Sequence, residues 1–149
     1  MSTSEYHYTE SGLDSVYLVN GYEIVERPQG KKLVIPDIDG LHRAIGRLLA
    51  TEKKRLSGKD IRFLRIEMLM SQSVIAQLLQ VDEQTVARWE KGRSRMPGNA
   101  SVMLRVMYLE HIGENEKISD FLRKIADIED RLDQRLSLEE TSGNWDIAA

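Results

Sequence analysis

The chain has 149 residues, a formal net charge of −3 and 41% apolar residues, enough to bury a core in one ordinary domain or two small ones. It contains no cysteine, which excludes disulfides and thiolate metal sites and fits a reducing compartment. No apolar run approaches the roughly 20 residues of a membrane span, and no basic stretch followed by an apolar core opens the chain, so neither an anchor nor a signal peptide is expected and a cytoplasmic location is.

In chain order, residues 1–13 are polar and lack helical periodicity, as an irregular segment or a frayed edge strand would. Ser15 to Val25 reads SVYLVNGYEIV, two β-prone runs around Asn20-Gly21, and is a hairpin candidate. ERPQGKK is a loop and KLVIP a third short strand ended by Pro36. So small an antiparallel sheet is marginal alone and needs a helix to lean on. That helix starts at Asp39 as its cap. It turns Leu41, Ile45, Leu48 and Leu49 inward, with Arg43, Arg47, Lys53, Lys54 and Arg55 on the solvated side.

Ser57 to Asp60, SGKD, has the form of a capping box. It opens a helix to about Met68 with Ile61, Leu64 and Met68 inward. Ser71 caps a short second helix containing Val74, Ile75, Leu78 and Leu79. Asp82 caps a third, which runs to Lys91 and stops at Gly92. Asn99 caps a fourth, Ala100 to His111, apolar on most sides and expected to be buried on more than one face. A last helix spans about Asn115 to Leu136. Its Ile118, Phe121, Ile125, Ile128 and Leu132 recur at three and four, a stripe that suits packing onto the domain or a dimer contact equally. The tail from Ser137 has little to bury beyond Trp145 and Ile147 and is expected to be mobile.

Charge divides along the same lines. Residues 1–40 carry three Lys/Arg against seven Asp/Glu, residues 41–112 thirteen against seven, and residues 113–149 five against ten. A basic centre between acidic ends suits a module that contacts a nucleic acid, with solubilising or partner-binding flanks.

The densest signal lies in SQSVIAQLLQVDEQTVARWEKG, Ser71 to Gly92. Ala76 is small where two helices must cross closely. Leu79 and Val81 plug the turn, and Val86 and Trp89, three apart, point inward. Glu83, Gln84, Thr85, Ala87 and Arg88 are left outside. Those side chains can hydrogen-bond base edges or phosphates, and none is bulky enough to keep a helix out of the major groove.

The pattern of Gln72, Ala76, Leu79, Val81, Thr85, Val86, Trp89, Glu90 and Gly92 resembles the Cro/repressor-type helix-turn-helix family over about fifty residues. The resemblance implies a compact five-helix bundle whose third helix enters the major groove. It implies that Ser71 and Gln72 meet phosphate or base from the start of the second helix. Glu83, Gln84, Thr85 and Arg88 would face base edges, and Lys91, Arg93 and Arg95 would neutralise backbone charge. Arg65 and Glu90 fall where the family often pairs an arginine with a glutamate, a partly buried ion pair. Glu83 departs from the neutral residues common at its position. It could accept a hydrogen bond from cytosine N4 or simply complement the helix amino end.

A β-rich amino-terminal part before such a segment also resembles the MqsA/YgiT-like antitoxins, whose amino-terminal zinc finger uses four cysteines. This chain has none, and His7, His42 and the scattered carboxylates lack the spacing of a tetrahedral site, so no metal or other cofactor is expected. The expected fold is mainly α. A β-hairpin-plus-helix module at 1–56 precedes a helix-turn-helix domain at 57–112, an amphipathic helix at 113–137 and a tail at 138–149. His7, His42 and His111 have no evident nucleophile or paired acid, and no Gly-rich phosphate loop opens a helix, so catalysis is not expected. The expected function is that of a repressor, dimeric on a pseudo-palindromic operator in double-stranded DNA, and an antitoxin that holds a protein toxin and regulates its own operon. The alternative is a protein-interaction module that retains the helical fold without binding DNA.

Overall fold

The computed structural model describes residues 4–113 and 135–148. The chain forms two compact units, one from Met1–Ala44 with Gln134–Ala149 and the other from Ile45–Asp133. No helix among the described residues is long and apolar enough to cross a membrane.

The first unit is built on strands. β1 (Tyr6–His7), β2 (Val16–Leu18), β3 (Glu23–Arg27) and β4 (Gly30–Val34) come from the amino-terminal part, and β5 (Leu136–Thr141) and β6 (Asn144–Ile147) from the carboxy-terminal part. One sheet has the order β1-β2-β5-β6, and β3 and β4 form a separate two-stranded ribbon. β2 pairs with β1 antiparallel and with β5 in parallel, Val16 opposite Leu136 and Leu18 opposite Leu138. Val16, Leu18, Leu136 and Leu138 are buried, the period of two that one covered sheet face imposes. Ser142 and Gly143 both take positive φ in the two-residue turn between β5 and β6, the geometry that matches strand twist in a tight hairpin.

Several expectations are corrected here. Asn20-Gly21 does not turn a hairpin, because β2 takes β1 and β5 as neighbours and β3 pairs with β4 around Pro28-Gln29. The loop expected at ERPQGKK is therefore the tip of that ribbon, where proline presets the first turn dihedral. Asn20 instead accepts the Glu140 amide at 2.8 Å. Gly21 lies under the Trp145 indole, where an added Cβ would come within 2.3 Å of the ring. The tail expected to be mobile supplies two strands. Of the helix expected over 115–136, residues 115–134 lie outside the described residues, Arg135 is in neither helix nor strand, and Leu136 belongs to β5.

The helix α1 (Ile38–Glu52) contributes its first seven residues to the first unit and the rest to the second. Its cap is Asp37, not Asp39: the Asp37 carboxylate accepts the Gly40 amide at 3.2 Å and its carbonyl the Leu41 amide at 3.0 Å. Leu41, Ile45, Leu48 and Leu49 are buried as their spacing implies.

The second unit continues with α2 (Gly58–Glu67), α3 (Gln72–Leu79), α4 (Glu83–Glu90) and α5 (Gly98–His111). Ser57 and Asp60 form a complete capping box on α2. Ser71 Oγ accepts the Val74 amide at the start of α3. Asp82 occupies the cap position of α4 without a side-chain capping bond. α5 begins at Gly98 after Pro97, so Asn99 is inside the helix and not its cap. The core gathers Ile45, Leu48, Leu49, Ile61, Leu64, Ile75, Val86, Trp89, Leu104 and Tyr108. α5 is less enclosed than expected, since Met103 is half exposed.

Two buried cations were not foreseen. Lys53, read as part of a solvated face, is buried and donates to Asp60 at 2.6 Å. Arg105 is 1% exposed. Its guanidinium donates to the carbonyls of Ala50 and Lys54 at 3.3 and 2.9 Å and to that of Lys53, and its Nε to Ser101 Oγ at 3.1 Å. Arg105 thus satisfies the Ala50 carbonyl in the last turn of α1 and two carbonyls just beyond the helix. Burial pushes its pKa down to about 10, partly offset by Asp60, so it stays charged at neutral pH.

Candidate nucleic-acid interface

The turn between α3 and α4 fixes how α4 is presented. Gln80 ends α3 in the left-handed conformation at φ +57°, and the Val81 amide donates back to the Ala76 carbonyl at 2.9 Å. Ala76 is buried, which a small side chain permits where α3 and α4 pack against each other. Val86 is 0% and Trp89 3% exposed. The indole is therefore a core anchor and not a stacking surface, and it sets the rotation of α4 about its own axis.

A polar network fixes the other end of α4. Arg65 on α2 grips Glu90 through two bonds, Nε to Oε2 at 2.6 Å and Nη2 to Oε1 at 2.9 Å. Its Nη1 donates to the Met70 carbonyl at 3.0 Å. Gln72 donates to Glu90 Oε1 at 3.1 Å. This is the Arg65–Glu90 pair read from the sequence, and Gln72 extends it. Bidentate, charge-assisted bonds of this kind fix orientation as well as add strength, and here they join α2, the start of α3 and the end of α4.

With the inner face of α4 held, Glu83, Gln84 and Arg88 are exposed and Thr85 and Ala87 half-buried. After α4, Gly92 takes φ +72°, and the amides of Gly92 and Arg93 return to the Trp89 and Arg88 carbonyls at 3.0 and 2.9 Å, a helix stop that suits glycine. Lys91, Arg93 and Arg95 are exposed on the loop that follows, and Met96 returns to the core. Apart from the half-buried Thr85, the candidate residues thus divide into three groups. Glu83, Gln84 and Arg88 lie on the outer side of α4. Lys91, Arg93 and Arg95 make a cationic run beyond it. Ser71 is exposed at the start of α3, its hydroxyl oxygen occupied by the helix amide, and Gln72 is half-buried with its amide directed to Glu90.

Sequence reasoning missed Arg105 and the Lys53–Asp60 pair. A signal for Arg105 was present: an arginine inside the apolar run VMLRVMYL, next to Leu104 and three before Tyr108, falls on the buried side of α5 and must find acceptors there. Among the described residues, no group of three or more His, Asp or Glu side chains is placed to hold a metal ion.

An exposed polar helix after a tight turn, carried by a preceding helix and followed by cations, defines a helix-turn-helix. Residues 61–102 match the helix-turn-helix family model, which supports the resemblance of this segment to the Cro/repressor type. No curated protein and no solved structure matches the chain.

Proposed function

We propose that the chain is a sequence-specific repressor whose α4 lies in the major groove of double-stranded DNA. The observation that supports this best is the division of α4: Val86 and Trp89 are locked inside, while Gln84 and Arg88 face solvent beside Lys91, Arg93 and Arg95. In this reading Arg88 reads a guanine and Gln84 an adenine, the pairings that side-chain geometry favours. Arg93 and Arg95 supply sequence-independent attraction to phosphate. The chain acts as a homodimer on a pseudo-palindromic operator, with half-sites about 34 Å apart on one face of the duplex. It carries out no catalysis and needs no cofactor.

We further propose that it is the antitoxin of a toxin–antitoxin pair and represses its own operon. The acidic ends of the chain complement a basic protein partner such as a ribonuclease.

Fluorescence anisotropy against the protein's own promoter, at two salt concentrations, tests the first part. Tight operator binding that weakens steeply with salt is expected. Arg93→Ala should weaken operator and unrelated duplex alike and flatten the salt slope by about one. Equal affinity for operator and unrelated DNA in the wild type would contradict sequence-specific repression. Co-purification with the product of a neighbouring gene tests the antitoxin role, and its absence counts against that role alone.

A further inference from the structure

A cleft of about 390 Å³ opens beside α5, away from the outer face of α4 in sequence but within the same unit. Lys54, Arg55, Arg95, Gly98, Ser101 and Arg105 are among its lining residues, and no described lining residue is a carboxylate. Lys54, Arg55 and Arg95 are exposed and make no ion pair with a described residue. Gathering three such cations is unfavourable without an anion to share.

Two further features give the cleft the same sign. α5 enters it amino end first, with no side-chain cap at Pro97 and no acid in its first turn, so early backbone amides and the positive end of a fourteen-residue helix remain available. Arg105 then fixes the position of the linker. Its bonds to the Lys53 and Lys54 carbonyls and to Ser101 tie the stretch carrying Lys54 and Arg55 to the first two turns of α5. The cations are therefore held at the wall of a shaped cleft, on backbone anchored by a buried guanidinium.

We propose that this cleft is a phosphate-binding site in which Lys54 and Arg55, from the linker before α2, contact the DNA backbone outside the helix-turn-helix segment. The inference rests on the DNA-binding reading and deepens it: Arg95 belongs both to the cleft and to the cationic loop after α4, so one phosphate strand passing that loop continues to the linker. The contact carries no base information. It adds affinity and fixes register.

The test compares wild type with the double variant Lys54→Gln/Arg55→Gln. Both positions are exposed, so the fold should persist, checked by circular dichroism. Affinities for operator and unrelated duplex are measured from 50 to 200 mM salt, and inorganic phosphate is titrated in parallel while the melting temperature is followed. The expected result is equal weakening for both duplexes, an unchanged ratio between them, and a salt slope flatter by about 1.8 for the two lost contacts. An unchanged slope in a variant whose parent binds operator would overturn the inference and leave the repressor reading intact. A phosphate-dependent rise in melting temperature lost in the variant, with the DNA slope unchanged, would assign the cleft to a small free anion and overturn the backbone contact. Failure of the wild type to bind any duplex would defeat the repressor reading, and the backbone contact with it.

Discussion

The two units of the chain are stabilised over very different sequence distances. In the helical unit, capping and turn bonds link near neighbours: Ser57 with Asp60, Ser71 with Val74, and Val81 with Ala76. Side-chain links in that unit also run from Arg105 back to residues 50–54. In the strand unit, β2 is completed by β5, about 120 residues away, and the Asn20 side chain holds the Glu140 amide. Loop closure of that length must precede the contacts that reward it. The helix-turn-helix can therefore form from its own stretch of chain, whereas the sheet depends on the chain's return.

Deleting residues 136–149 exploits that difference most strongly. It removes β5 and β6 together and leaves β2 with only the two-residue β1. Hydrogen exchange should show protection lost over residues 6–18 and kept over α2–α4. Loss of protection in α2–α4 to the same extent would break the contrast.

Trp89→Ala strikes the other unit. A buried tryptophan reduced to alanine costs about 3–5 kcal/mol, and denaturant melts should show this loss in the helical unit. DNA binding should fall with it, because the indole sets the rotation of α4. A change under about 1 kcal/mol would mean that Trp89 does not anchor the helix.

Gln80→Gly tests the turn itself. A residue with a Cβ pays for the left-handed conformation, and glycine does not. The variant should gain about 0.5–1 kcal/mol, a rise in melting temperature of a few degrees. A fall would show that the Gln80 side chain contributes more than its backbone strain removes.

The smallest effect concerns Tyr6 in the strand unit. Its hydroxyl donates to Glu10 at 2.5 Å, and that bond, with burial and the Glu10 charge, pushes its pKa up to about 12. A folded pKa above the unfolded value near 10 gives a contribution that is complete below pH 10 and lost as pH rises through about 12. Absorbance at 295 nm should show one phenol ionising near pH 12, and Glu10→Gln should bring it down. No change on that substitution would remove the assigned cause.

The same difference in sequence distance explains what could be read in advance. The helices α2, α3 and α4, the Ser57 and Ser71 caps, the Arg65–Glu90 pair and the inward Trp89 all follow from spacings of three, four or one helix, which local sequence displays. The partner of β2 does not, because nothing near Val16 indicates that residues 136–138 will lie beside it. The hairpin β5–β6 was visible in part. Leu136 and Leu138 alternate before Ser142-Gly143, and Trp145 and Ile147 alternate after it, but the short polar stretch also suited a loose tail. Lys53 was misplaced because its apparent helix face ends at Glu52, and beyond the helix end the chain turns its ammonium toward Asp60. At the candidate interface, exposure of Gln84, Arg88 and the Lys91–Arg95 run was legible. The engagement of Gln72 with Glu90 was not, since it depends on how α3 and α4 meet.

The most direct test of the account is the operator preference of Arg88→Ala. If the outer face of α4 reads bases, the variant should lose about 1–3 kcal/mol at the operator and much less on unrelated duplex, with its fold unchanged by circular dichroism. An operator affinity equal to that of the wild type in the same titration would contradict base reading by this helix.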